Sequence, residues 1–522
     1  MKEQRHFARE NRRHFALAAL SDALPDDVEL VIQLKRVGRP SLQRQLLDQL
    51  RRAIQGGLLA PGRRLPATRP FASALGISRH IVEAVYDELA IEGYLVRRRG
   101  SGTSVNRELA ALAPPHATPP ESARDGAAPR WLRPAPPVSV AAPALNQHMI
   151  VFGPGAPDLS LLPMRVWRSA WRAVGAQLPT VAYGPAAGDP DLRAALARYL
   201  RQARGVICAP EDVIITTSAA QAVDLVTQAT ISPGESVGFE EPGYPIARQI
   251  MQERGARILP IPVDDDGLRV DALPLDSEAP KLVYVTPSHQ YPLGGRLPVA
   301  RRMALLCWAT ACDSLLIEDD YDSEFRFDAA PLPALTALDR DGRVVYIGTF
   351  SKIVTPALRV GYLVTLQPEL RERIIRLKAL HGFHASWPSQ RALLALIAER
   401  HLERHIRRMR RHYADKRVAL CEALAPLAPL ARICGIDAGL HACLDLRPDL
   451  SARDIAHEAL ARGVVVPPLD AYYYGSPQRQ GLALGYGGLD RDEIIQGARI
   501  LHDVIAAAAD RAGAEPTNPL SG

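Results

Sequence analysis

Five short, mainly apolar runs recur along the middle of the chain: Val213–Thr216, Ser236–Phe239, Lys281–Val285, Leu315–Glu318 and Val344–Ile347. None alternates cleanly, which is the pattern of strands buried on both faces. Stretches with helical spacing lie between several of them, such as Ala219–Thr230 and Pro298–Ala311. Strand and helix in turn predict an α/β domain with a mostly parallel sheet. From Pro368 to Leu427 the pattern is largely helical, with one long basic helix near Ala398–Leu424, and a smaller C-terminal α+β portion follows to about Ala509.

A different pattern precedes this. Leu42, Leu46, Leu50 and Ile54 repeat at helical spacing, and Gly56-Gly57 end that helix. Thr68 is the expected N-cap of a second helix with Pro70 in its first turn. Gly76 supplies a turn, and Ser78 caps a third helix, Arg79–Glu92, closed by Gly93. Helix, glycine turn and capped helix form a helix-turn-helix pattern. Its second helix would present Ser78, Arg79 and His80 to the major groove of DNA. Tyr94–Val96 and Gly102–Val105 are expected to pair as strands around Arg97–Ser101, making a wing whose arginines neutralise phosphates.

Charge sharpens the division. Of 522 residues, 63 are Lys or Arg and 57 are Asp or Glu, a net charge of +6. Residues 1–106 hold 18 basic and 11 acidic residues, a net +7, so the remainder is close to neutral. The basic excess therefore sits on the small module, as expected if only that part meets a polyanion. Between the two patterns lies an Ala/Pro-rich stretch that cannot bury enough apolar surface to order itself. The expected domains are a DNA-binding module at 39–106, a linker at 107–148 and a large domain at 149–509. No apolar run reaches the ~18 residues that cross a bilayer, and the Phe15–Leu20 patch is too short for a signal-peptide core. Six scattered cysteines without a C-x-x-C point to reduced thiols. A cytoplasmic, nucleoid-associated protein with no membrane and no metal ligand set is expected.

The large domain carries four suggestive pieces. Gly348-Thr-Phe-Ser351-Lys352 with Arg359 follows a buried strand, so it emerges where α/β folds bind ligands. A lysine among hydroxyls, with an arginine seven residues on, suits a cofactor that is both aldehyde and phosphate. In Glu318-Asp319-Asp320-Tyr321, a carboxylate just past a buried strand can pair with a protonated ring nitrogen, and Tyr321 can hydrogen-bond a ring hydroxyl. In Glu240-Glu-Pro-Gly-Tyr244-Pro, Tyr244 can stack on a flat ring. At Thr216-Thr-Ser-Ala219-Ala220-Gln221 a strand runs into a helix N-terminus, a phosphate site.

The small module resembles the winged-helix domain of GntR-type regulators, on Leu65-Pro66-Ala67-Thr68-Arg69 and Gly100-Ser101-Gly102-Thr103. Arg69, Ser78, Arg79, Arg97 and Ser101 are its candidate DNA contacts. The large domain resembles fold-type-I, aminotransferase-like proteins that use pyridoxal 5'-phosphate. That resemblance implies Lys352 as the Schiff-base lysine, Asp319 as the ring-nitrogen partner, Tyr321 as the ring-hydroxyl donor and Tyr244 as the stacking residue. It also implies phosphate binding by Ala219, Ala220, Ser351 and Arg359, and by Tyr183 reaching into a neighbouring subunit. Tyr291 stands where most aminotransferases place an asparagine against the ring. Where relatives carry an arginine for the substrate α-carboxylate, the run is Ala483-Leu-Gly-Tyr486; Arg479 is an arginine nearby in sequence.

The whole arrangement resembles the MocR/GabR branch of GntR regulators. It implies a homodimer with swapped DNA-binding modules, an operator in double-stranded DNA, and a small amine or amino-acid effector (or pyridoxal phosphate itself) sensed at Lys352. The alternatives are a working aminotransferase with a DNA-binding appendage, and a DNA-binding protein whose large domain is only a scaffold.

Overall fold

The computed structural model describes residues 15–19, 31–36, 40–98, 102–109, 148–178, 181–327 and 332–514. They fall into two compact units divided after Pro136. Most of the expected linker, at 110–147, lies outside the described residues.

In the first unit, strands β1 (Phe15–Ala19) and β2 (Val31–Lys35) pair antiparallel. Helices α1 (Leu42–Gln55), α2 (Thr68–Leu75) and α3 (Arg79–Ile91) follow, then the hairpin β3 (Leu95–Arg98) and β4 (Gly102–Val105). The helices form because Leu46, Leu50, Phe71, Leu75, Val82 and Leu89 fall on their inner faces, all nearly free of solvent. Sequence reasoning started this unit at 39 and missed β2. Its Ile32 and Leu34 join the same core. Its main chain is held by side chains rather than by a long strand: Gln45 and Gln49 each donate to and accept from its backbone, at Lys35 and Gln33. Thr68 is not the N-cap. Ala67 holds that extended position without a side-chain hydrogen bond, and Thr68 is the first helical residue. Ser78 does cap α3, accepting from the Ile81 N–H.

The second unit is built on a sheet of eight strands. In chain order they are β6 (Val213–Thr216), β7 (Ser236–Glu241), β8 (Arg257–Asp264), β9 (Gly267–Leu268), β10 (Leu282–Val285), β11 (Leu315–Asp320), β12 (Val344–Thr349) and β13 (Gly361–Thr365); β5 (Ile150–Val151) precedes them, outside this sheet. The spatial order is β6-β13-β12-β11-β10-β7-β8-β9. The run β12-β11-β10-β7-β8 is parallel, while β13 lies antiparallel to both neighbours. The five expected strands are all present, four of them inside the sheet and β6 at its edge; β8, β9 and β13 were not anticipated. The long basic helix spans His401–Leu424. It and the terminal helix Arg491–Ala514 pack on an antiparallel sheet of β14 (Ala431–Cys434), β15 (His441–Leu446) and β17 (Gly481–Gly485). A short strand β16 (Val464–Val465) pairs with β5 and ties the start of the unit to this C-terminal lobe.

Candidate functional site

The exposed start of α3 carries Ser78, Arg79 and His80 after the turn at Gly76, and Arg69 is exposed on α2. Arg79 pairs with Glu83 one turn along at 2.7 Å, a solvent-exposed bond of the kind that contributes little and that a phosphate can displace. Arg97 lies across α3, paired with Asp87 and donating to the Glu83 carbonyl. Ser101 and the wing tip lie outside the described residues.

In the large unit, the C-terminal ends of the parallel strands open into a cavity of about 450 Å³. Nine predicted residues line it: Ala219, Ala220, Tyr244, Tyr291, Asp319, Tyr321, Ser351, Lys352 and Arg359. The tenth, Tyr183, does not. It stands 80% exposed at the surface, its ring stacked on Phe383 with centroids 5.0 Å apart.

The period of two in β11 explains which acid serves the cavity. Glu318 and Asp320 point to the other face. There Glu318 accepts from the Leu335 and Thr336 amides, and Asp320 is bound by Arg204 at 2.7 Å and by the Tyr346 hydroxyl. Asp319, between them, lines the cavity. Its Oδ2 accepts a 2.5 Å hydrogen bond from the Tyr284 hydroxyl, while its buried Oδ1 has no partner. Burial pushes its pKa up to about 7, against the pull of the Tyr284 hydroxyl. A carboxylate with one satisfied and one empty oxygen is prepared for a cationic N–H. Tyr284 was missed because, in the apolar run Leu282–Val285, its ring reads as core, and it does stack on Phe239.

Lys352 sits on the loop after β12, and burial lowers its pKa, so a larger share of its amine is neutral and nucleophilic. On the opposite side, Ser218 caps the helix Ala219–Thr230 by accepting from the Gln221 N–H at 3.1 Å. That geometry leaves first-turn amides beside Ala219 and Ala220, with Ser351 and Arg359 also on the wall. Thr349 Oγ1 accepts from the Ser351 N–H and fixes that turn. The set has an amine, a phosphate cradle and an unpartnered carboxylate oxygen in one cavity. It fits a phosphorylated pyridine aldehyde.

Behind Tyr321 lies a polar cluster that sequence reasoning did not find. The Tyr321 hydroxyl donates to the His289 carbonyl at 2.9 Å. His289 Nδ1 meets Asp322 at 2.9 Å and its Nε2 meets the Gly435 carbonyl at 3.1 Å. Two acceptors around one imidazole favour its doubly protonated form. Although burial alone lowers its pKa, Asp322 raises it on balance. His441, 4.5 Å from His289 between ring centroids, is held neutral by burial and by the nearby charges of His289 and Lys352.

Fold and site together define a winged-helix DNA-binding module joined to an aminotransferase-type domain with a lysine-centred cofactor cavity. Residues 42–105 match the family of bacterial regulatory proteins of the gntR type, and residues 147–483 match class I and II aminotransferases. The HTH-type pyridoxine biosynthesis transcriptional regulator PdxR of Corynebacterium glutamicum is 38% identical over 468 residues, covering 89% of this chain and 96% of the relative. The probable rhizopine catabolism regulatory protein MocR of Rhizobium meliloti is 36% identical, covering 93% and 98%. Among solved structures, the α-aminoadipate aminotransferase LysN of Thermus thermophilus, complexed with N-(5'-phosphopyridoxyl)-L-leucine, superposes with a TM-score of 0.65 at 30% identity. That match covers 70% of this chain and 94% of LysN. The chain belongs to the helix-turn-helix transcriptional regulators of the gntR type that carry a class I and II aminotransferase domain.

Proposed function

We propose that the chain, a DNA-binding transcriptional regulator whose cofactor is pyridoxal phosphate, reads an effector inside the Lys352 cavity and alters its grip on DNA in response. The observation that carries the reading is the convergence of Lys352, Asp319 and the Ala219–Ala220 helix start on one cavity in a chain that also bears a winged helix. When bound, the cofactor supplies an aldehyde carbon for which Lys352 and an incoming amine compete. Lys352 holds the resting state, Asp319 keeps the ring nitrogen charged, and Tyr321 and Tyr244 bind and orient the ring. The helix start, Ser351 and Arg359 hold the phosphate. Effector binding regulates only if the effector binds the two states of the large domain with different affinity.

The regulator acts as a homodimer in the cytoplasm, its DNA-binding modules exchanged between subunits so that two winged helices read two half-sites on the nucleoid. The exposed Tyr183–Phe383 stack supports an interface there, since large apolar groups left at the surface mark a partner site. Arg69, Ser78, Arg79, Arg97 and Ser101 contact the duplex.

The test is a DNA-binding assay on the full-length protein loaded with cofactor, with amines and amino acids added singly. A shift in operator affinity that tracks a change in the visible absorbance supports the reading; operator affinity indifferent to every amine and to cofactor removal rejects it. Steady conversion of amino donor to keto acid would favour the aminotransferase alternative.

A further inference from the structure

The cavity has two cations among its described lining residues, Lys352 and Arg359, and both have tasks: one faces the aldehyde and the other the phosphate. Asp319 apart, the remaining described wall is uncharged, with aromatic and apolar groups from Tyr291, Tyr321, Tyr244, Ile246 and Pro154 and hydroxyls from Thr286 and Thr349. Tyr291 separates the cavity from Ala483. It packs on a closed cluster of Leu293, Cys443, Leu469, Tyr472 and Ala483, and its ring meets that of Tyr472 at 5.5 Å. Ala483 is fully buried there and offers a methyl group.

Neighbouring guanidinium groups are already engaged. Arg479 pairs with Asp445 at 2.8 Å and with Asp265 at 3.5 Å. Arg248 donates to the Tyr472 carbonyl and lies over the Tyr474 ring. Of the buried histidines on this side, His441 is neutral and His289 is committed to Asp322 at 2.9 Å. Two buried acids, Asp319 and Glu240, also lie on this side, each pushed up to about 7 by burial. A carboxylate entering beside Lys352 would lose water and meet no uncommitted cation among the described lining residues.

We infer that the effector is a primary amine with an apolar or aromatic body and no carboxylate on the amine-bearing carbon. The inference rests on the reading of the cavity as an effector site and narrows its chemistry. Tyr291 and Ile246 receive the body of the amine by apolar contact. The closed cluster around Ala483 excludes the α-carboxylate that an amino acid would bring.

Matched pairs that differ by that carboxylate alone test it: phenethylamine against L-phenylalanine, tyramine against L-tyrosine, and 3-methylbutylamine against L-leucine. Each is titrated into the full-length protein loaded with pyridoxal phosphate, following the visible absorbance and the melting temperature. Free pyridoxal phosphate is titrated in parallel to correct for the intrinsic reactivity of each amine. The corrected half-saturating concentration should be at least about tenfold lower for each amine than for its amino acid. Amino acids that match or outperform their amines would overturn the inference and leave the effector-site reading intact. No response to any of the six compounds or to a wider set of amines would overturn both.

Discussion

Tyr284→Phe isolates the hydrogen bond that readies Asp319. Tyr284 and Asp319 lie on adjacent parallel strands, both essentially buried, and among the described residues the tyrosine hydroxyl is the one hydrogen-bond donor to the carboxylate, at 2.5 Å. Removing it leaves the ionised carboxylate with neither oxygen satisfied. A hydrogen bond to a buried charged acceptor is worth about 1.5–3 kcal/mol, and pyridoxal phosphate depends on that charge at its ring nitrogen. The variant should therefore bind the cofactor about 10- to 150-fold more weakly. The assay is titration of cofactor-free protein with pyridoxal phosphate, read by absorbance at a pH above 7. The melting temperature of the cofactor-free form serves as the control for folding. Asp319→Asn, which removes the charge itself, should weaken binding further. If Tyr284→Phe binds within about twofold of wild type while Asp319→Asn binds poorly, Tyr284 does not hold Asp319 ionised and the reasoning fails.

The cofactor-free protein should lose stability as the pH rises through about 7. Burial raises both Asp319 and Glu240 to about 7, so the stability they contribute is complete below the ordinary carboxylate range and lost above it. His289, also raised, acts in the same direction; melting curves across this range should be flatter for Asp319→Asn. Arg69→Ala and Arg79→Ala should each lower operator affinity and reduce the slope of log affinity against log salt by about one, measured by anisotropy; unchanged slopes would remove them from the DNA surface. Gly439→Ala should destabilise the fold by about 2–3 kcal/mol or more in denaturant titrations, because φ is +75° and a Cβ would stand 2.2 Å from Asp322 Oδ2 and 2.4 Å from His289.

Much of the cavity was legible in the sequence because its chemistry is local. Lys352 and Ser351 share one turn, Asp319 and Tyr321 one strand end, and Ala219 and Ala220 one helix start. Each signals itself by following a buried strand, and strand ends in a parallel sheet converge whatever the strand order. The helices of the DNA-binding unit were equally plain from spacing and turns. What escaped depends on long-range neighbours. Tyr284 becomes a partner of Asp319 only because β10 lies beside β11, and His289, Asp322 and His441 meet only once the C-terminal lobe folds back. β2 escaped because its anchors are the side chains of Gln45 and Gln49, which helical spacing treats as surface. Ala67 rather than Thr68 caps α2 because the chain enters the helix one residue earlier than the hydroxyl suggests.

The central claim is that DNA binding responds to what Lys352 is bonded to. The direct measurement is operator affinity of the full-length wild type and of Lys352→Ala, each with pyridoxal phosphate, titrated with phenethylamine. Wild type should show a visible band and an operator affinity that change at the same half-saturating concentration of the amine, while the operator affinity of Lys352→Ala should not respond to it. An operator affinity that responds to the amine equally in both proteins would contradict it.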